Sequence, residues 1–331
     1  MGIIEFALEG NYGRFYNDLK ALSKVNGKPA WLMFLDTALC TLTLGSGMQD
    51  YLNYAFYDKS FKERSTYVTI GYLDSITPEV ANIKYSPFMS NKAYFHKNYG
   101  KFTRRDFFDP EGEYEEFEKF LDRNEVFVMK PQIGACGHGV KKVVTAEIAD
   151  RKAFFEDVRA QQAHMEALIV QHPDWAAMAP SSVNTLRVIT GAVDGKSWLM
   201  YAGARFGSGE SFADNFHQGG CAVLVDMETG KLTGRGINKK RQEVDHSATG
   251  IPLDGCPVPY WEEIKAMVLE AALVCDDINL VGWDVAICED GPMIVEGNRG
   301  SGFDLVQMTM RKGTKYMLED LLAKVRAAKK K

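Results

Sequence analysis

The stretch from Gly282 to Gly302, GWDVAICEDGPMIVEGNRGSG, constrains the chain more than any other. It reads as a β-hairpin: a run centred on Val285 and Ile287, a turn at Glu289-Asp290-Gly291, and a return through Met293 and Val295. A three-residue loop gives Gly291 the left-handed position that such loops favour. It sets Cys288 opposite Pro292 and Asp284 opposite Glu296. Strand side chains alternate, so Asp284, Glu296 and Asn298 project from one face. Trp283, Val285, Ile287, Met293 and Val295 project from the other, which is apolar and suits a core. The polar face suits a hard divalent cation such as Mg²⁺; it suits an acidic surface ribbon equally well. A two- or four-residue loop would turn Asp284 to the wrong face, so the reading rests on the turn.

A second stretch lies far upstream. Glu125 to Pro131, EVFVMKP, is a strand ending on Lys130, followed by the glycine-rich Gln132 to Gly139 and a second strand over Val140 to Val144. Backbone N–H groups of such a loop approach phosphate oxygens closely. There is no GK[ST] and no helix directly after it, so it is not a Walker loop, and it lacks GxGxxG. An ordinary glycine hairpin has the same local pattern. Between the two stretches, Arg187 and Arg205 stand inside apolar strands. A charge in that setting needs a partner. Either a phosphate or carboxylate ligand or an internal acid such as Asp214 or Asp284 would serve.

The rest of the chain bounds the class. Its 331 residues can bury a sizeable core, and a net charge of −5 supplies no global basic field for nucleic acid or anionic membrane. Six cysteines without a CxxC pair argue against a zinc site or disulfide scaffold and suit a reducing cytoplasm. No signal peptide is apparent at the N-terminus. Trp31 to Leu44 is too short to span a bilayer and carries Asp36, so it reads as a buried helix. Residues 1–85 read as mainly helical, with Tyr54, Tyr57 and Phe61 at helical spacing in a core. Ser90 reads as the N-cap of a helix carrying Lys92 and His96, and Ala146 to Gln161 as a helix. Leu168 to Gln171 reads as a short strand, and Ile237 to Pro259 as a long surface loop. A helix over Trp261 to Cys275 precedes the acidic hairpin.

Together, VFVMKPQIGACGHGV and WDVAICEDGPMIVEGN resemble the ATP-grasp superfamily, whose acidic hairpin has the form D-x(11-12)-E-x-N. SNKAYFHK, LIVQ, NTLRVIT and DNFHQGGCAVLVD, in that order, look most like its sugar-transfer-associated family. The resemblance implies an α+β fold with two subdomains, residues 86–172 and 173–331, clasping ATP between antiparallel sheets behind the helical N-terminal region.

It also implies roles. Lys92 and Lys130 would contact ATP phosphates, under a flap containing Gly134, Gly137, His138 and Gly139. Val170 and Gln171 would meet the adenine, and Asp284, Glu296 and Asn298 would hold Mg²⁺, with Glu296 bridging two ions. Arg187, Arg205 and Arg299 would neutralise the γ-phosphate or an acyl phosphate. Several ligases of the superfamily carry an arginine where this chain has Gly282; Arg187 or Arg205 would have to substitute. The implied reaction joins a small-molecule carboxylate to an amine through an acyl phosphate, for example an amino acid to a sugar acid or to another amino acid. The same scaffold supports phosphotransfer to a hydroxyl, and a nucleotide-binding module without turnover is a third class.

Overall fold

The structure, a computed structural model, describes residues 12–132, 139–208 and 220–330. It divides into two compact units, Met1–Val80 with Gly302–Lys331, and Ala81–Ser301. Among the described residues no helix is long and apolar enough to cross a membrane.

The first unit is helical. Its longest N-terminal elements are Tyr12–Asn26 and Ala30–Leu44, which pack through Phe34 against Tyr12, Phe15 and Tyr16. Gly45, with φ 64°, ends the second helix in the left-handed conformation, and its N–H caps the Cys40 and Thr41 carbonyls. This helix is not buried all round. Met33, Thr37 and Cys40 face inward, while Trp31, Leu35, Leu39 and Leu42 are 57%, 58%, 54% and 76% exposed. Aliphatic density alone does not distinguish these two faces. The aromatic core holds Tyr51, Tyr54, Phe56 and Tyr67, but Phe61 is exposed. No single helix carries Tyr54, Tyr57 and Phe61, because the chain breaks into Met48–Asn53, a 3₁₀ turn at Phe56–Asp58 and Phe61–Arg64. The returning C-terminal segment is anchored by Gln307, whose side-chain amide accepts from the Val68 N–H (2.7 Å) and donates to its carbonyl (3.0 Å).

The second unit holds two antiparallel sheets. Strands β1 (Phe107–Phe108), β2 (Val126–Pro131), β3 (Lys141–Val144) and β4 (Ala163–Ala167) form the smaller, in the order β1-β4-β2-β3. Strands β5 (Thr185–Val193), β6 (Lys196–Phe206), β7 (Cys221–Val225), β8 (Leu232–Asn238), β9 (Glu243–Val244), β10 (Leu280–Cys288) and β11 (Gly291–Arg299) form the larger, in the order β11-β10-β5-β6-β7-β8-β9. Period-two alternation splits the smaller sheet. Phe108, Phe127, Met129, Ala163 and Met165 pack under the helices Tyr114–Arg123 and Arg151–Ala160, with Phe117, Phe120 and Phe155. Lys130 pairs with His164 and Val128 with Glu166, so the polar residues share the opposite face.

Several boundaries differ from the sequence reading. Asn91, not Ser90, caps Lys92–Thr103; its carboxamide accepts from the Tyr94 N–H at 3.0 Å, and Ser90 ends a preceding short helix. Asp150 starts the next long helix at Arg151 by accepting from the Lys152 and Ala153 N–H groups. The fourth strand is Ala163–Ala167, ending before Leu168, and Val170 is 66% exposed. Residues 237–259 contain the end of β8, β9 and short bridges rather than one loop. The helix before the hairpin ends at Ala271, not Cys275.

The acidic hairpin reaches the expected pairing by another route. Cys288 pairs with Gly291, not Pro292, so the loop has two residues, Glu289 and Asp290. Continued regularly, that turn would set Asp284 against Val295. A β-bulge between Asp284 and Val285 absorbs Val295 as an extra residue, and Asp284 pairs with Glu296. The correction has packing consequences. Met293 pairs with Ala286 and clusters with Cys288 and Val295 on the Asp284 side, while Ile294 pairs with Val285.

Beneath the site, Gly297 faces the buried Trp283, whose indole N–H donates to Thr190 Oγ1 at 2.9 Å. A Cβ on Gly297 would lie 2.6 Å from Met89 Sδ and 3.1 Å from both Phe95 and Trp283 ring carbons. Gly297→Ala should therefore destabilise folding by about 1–3 kcal/mol, read from the midpoint of urea unfolding.

Candidate active site

Strand register assembles one polar row across the larger sheet. Glu296 on β11 pairs with Asp284 on β10, which pairs with Arg187 on β5. Arg205 on β6 pairs with Thr185, two residues along the same face from Arg187. Asp284 is buried, and Arg187 Nε lies 2.7 Å from its Oδ1, with Arg187 Nη2 3.3 Å and Arg205 Nη2 3.1 Å from its Oδ2. Arg205 also donates through Nε to Thr185 Oγ1 at 3.0 Å. Both strand arginines thus have an internal acid as partner, the second of the two alternatives read from the sequence. Gly282 makes room for this arrangement. A Cβ there would lie 2.2 Å from Ser301 Oγ and 3.2 Å from Arg187 Nη1, and that Nη1 donates to Ser301 at 3.1 Å.

The two facing carboxyls respond oppositely. Burial disfavours charge on Asp284, but Arg187 and Arg205 outweigh it and hold the carboxyl below the usual aspartate range. Glu296 is pushed up, first by the protein crowded round its carboxyl and then by the charge of Asp284, to which it is hydrogen-bonded. Its side chain still reaches water, so it sits at the open end of the row. Asn298 Nδ2 lies 3.4 Å from Glu296 Oε1. Three oxygen-bearing side chains, two of them carboxyls in mutual repulsion, fit a hard divalent cation, which would relieve that repulsion.

The smaller sheet contributes the lysines. Lys130, next to last in β2, pairs with Glu166 Oε1 at 2.6 Å; Lys92, in the first turn of its helix, has Nζ 3.5 Å from the Gln132 carbonyl. Burial lowers the pKa of both. Lys130 further lowers Lys92, and Glu296 draws both back up, so the lysines and the acidic row share one electrostatic neighbourhood.

Other expected residues stand apart. Arg299 leaves β11 on the face opposite Glu296 and donates to the Ala81 carbonyl. The Gln171 side chain is internal, donating to the Ser182 carbonyl and accepting from the Asn184 N–H, both at 2.7 Å. Gly139 has φ 75°, and a Cβ there would lie 2.9 Å from Pro131 Cγ. Gly134, Gly137 and His138 lie outside the described residues, as does Asp214.

Glu166, Arg105 and His164 went unread. Glu166, 2% exposed, takes Lys130, Arg105, His96 and His164 as partners. Their trace in the sequence is a polar residue at alternate positions of His164-Met165-Glu166, a strand pattern hidden when the strand is begun at Leu168.

The raised Glu296 carboxyl makes a testable statement. A carboxyl raised by folding stabilises the fold below its unfolded-state pKa, and that contribution fades as pH rises through the folded value. Without divalent cations, Glu296→Gln should therefore raise Tm at pH 7, and the gain should shrink towards pH 4. A lower Tm, or a gain independent of pH, contradicts the assignment.

The family model described as "Sugar-transfer associated ATP-grasp" matches residues 95–322. No curated protein matches the sequence. Among solved structures, the chain is similar to the ATP-grasp ligase PsnB complexed with minimal precursor, at 15% identity and a TM-score of 0.42 over 75% of this chain and 63% of that one. It is similar to the D-alanine-D-alanine ligase from Coxiella burnetii at 8% identity and a TM-score of 0.44, over 76% and 61%. For the phosphoribosylamine–glycine ligase from Thermotoga maritima the values are 11% and 0.46, over 76% and 57%. The chain therefore spans about three fifths of the length of these structures. The family match covers well over half of the sequence and takes in the lysine strand, both strand arginines and the acidic hairpin. The chain belongs to the sugar-transfer associated ATP-grasp family and has the ATP-grasp fold.

Proposed function

We propose that the chain is an ATP- and Mg²⁺-dependent ligase that joins a carboxylate to an amine through an acyl phosphate. The observation that carries this is the placement of Asp284 and Glu296 side by side, within the electrostatic reach of Lys92 and Lys130. Phosphoryl transfer needs positioning and charge neutralisation more than an acid–base residue. This row is built for charge.

Asp284, Glu296 and Asn298 would hold Mg²⁺, which supplies neutralisation of β- and γ-phosphate oxygens. Lys130 and Lys92 would bind phosphate oxygens, under the glycine-rich segment at Gly134, Gly137, His138 and Gly139. Arg187 and Arg205, already on the row, would take up charge on the transferred phosphoryl group or the attacking carboxylate. The exposed Val170 would offer an apolar surface to the adenine. Arg299 has no part in this assignment, since it is engaged with Ala81. A carboxylate oxygen attacks the γ-phosphorus, and the bond to the ADP oxygen breaks. The amine nitrogen then attacks the acyl carbon; the C–N bond forms, the C–O bond breaks, inorganic phosphate leaves, and the amine loses a proton to solvent.

As the substrate pairing we infer an amino acid joined to a sugar acid or to another amino acid. The test is coupled ADP release across panels of carboxylates and amines, with hydroxylamine replacing the amine. The proposal expects ADP release that needs the carboxylate, an acyl hydroxamate, and a fall of about 10²–10³-fold for Asp284→Ala. ADP release with a hydroxyl acceptor and no hydroxamate would assign phosphotransfer instead.

A further inference from the structure

Glu166 gathers partners from separate segments. Its Oε1 lies 2.6 Å from Lys130 Nζ on β2, 3.2 Å from His96 Nε2 on the helix Lys92–Thr103, and 3.4 Å from His164 Nε2 on its own strand. Its Oε2 is paired with Arg105 Nη1, just before β1. Phe107 stacks on both histidine rings, with centroids 4.4 Å and 5.6 Å away, and closes the group on that side. The Arg105 fork then crosses to the other sheet, where Nη2 donates to the Val295 carbonyl at 3.2 Å. Val295 is the bulge residue that brings Glu296 opposite Asp284.

Charge does not balance within this group. Burial pushes the His164 pKa down to about 4 and lowers His96, so both rings are neutral at pH 7. One carboxylate therefore faces two cations, and a surplus positive charge stands in a water-poor place. Of the three charged side chains, Lys130 is the one with an outlet: it is 15% exposed, against 5% for Arg105 and 2% for Glu166. A buried ion pair serving the fold alone would gain most from equal charges. A surplus cation with access to solvent is suited to an incoming anion.

We propose that Glu166 is a positioning residue for phosphate binding: it fixes the Lys130 ammonium and, through Arg105, ties it to the bulge beside Glu296. A nucleoside polyphosphate and its cation then meet groups whose separation is set before they arrive. The inference rests on the nucleotide-binding reading of Lys130 and deepens it; a histidine–glutamate metal centre is disfavoured here because two cations already occupy the carboxylate.

The experiment is a double-mutant cycle read by calorimetric binding of ADP with Mg²⁺, on wild type, Glu166→Gln, Lys130→Met and the double variant, with thermal melts as a check on folding. Glu166→Gln should weaken ADP binding by about tenfold or more. In the Lys130→Met background it should add almost nothing, because it acts through the lysine. Unchanged affinity in Glu166→Gln, or the same loss in both backgrounds, overturns the proposal. If Glu166→Gln does not fold, Arg105→Lys replaces it: this variant keeps a charge for Glu166 but loses the fork to Val295, and wild-type affinity there overturns the tie. Wild-type protein without affinity for ADP defeats the ligase reading and this inference together, whereas additive losses defeat only this one.

Discussion

Two carboxyl groups, Asp284 and Glu296, face each other across adjacent strands, and the polar architecture of the Ala81–Ser301 unit answers that proximity. Left alone, neighbouring carboxylates in a desolvated place repel, and one of them is forced towards its neutral form. Arg187 and Arg205 hold Asp284 charged, so the strain falls on Glu296. An arrangement that disfavours charge on one carboxyl is poor for stability and good for binding a cation. The fold tolerates it because the opposite face is tightly packed, with Trp283, Val285 and Ile287 fully buried.

The bulge at Val295 is the joint on which this depends. Its local effect is to shift register by one residue, and its longer-range effect is to supply the carbonyl taken by Arg105. Arg104, next in sequence, donates to the carbonyls of Pro292 and Asp290 and pairs with the Asp290 carboxylate at 2.7 Å. Successive arginines therefore grip the turn and the bulge of the same ribbon. Lys130, Glu166, Arg105 and Glu296 form one chain of contacts and fields between the two sheets. A fixed spacing between the proposed phosphate-binding and cation-binding groups is what in-line phosphoryl transfer requires.

Much of this was legible in the sequence, and the rest was not for definable reasons. Alternation identified the faces of β10, the lysine-ended β2, and its return strand β3, because period two is a local property. The Asp284–Glu296 pairing was anticipated through the wrong turn: a two-residue loop plus a bulge gives the same register as a three-residue loop, and the bulge answers to partners remote in sequence, such as Arg105. That Arg187 is the partner of Asp284 follows from β5 lying beside β10, a long-range pairing that spacing does not encode. Glu166 was missed because an acid on a strand looks like a solvent-facing residue until its four partners are in place. The exposed leucines of Ala30–Leu44 mislead for the converse reason, since apolar residues on both faces of a helix read as burial.

The cation site proposed at Asp284 and Glu296 would lie beside a phosphate site. Its most direct test is a Mn²⁺ titration, followed by electron paramagnetic resonance of the free ion, with and without a non-hydrolysable ATP analogue. Wild-type protein should take up Mn²⁺ in the presence of the analogue, and Glu296→Gln and Asp284→Asn should lose that uptake while remaining folded. Equal uptake by all three proteins would contradict it.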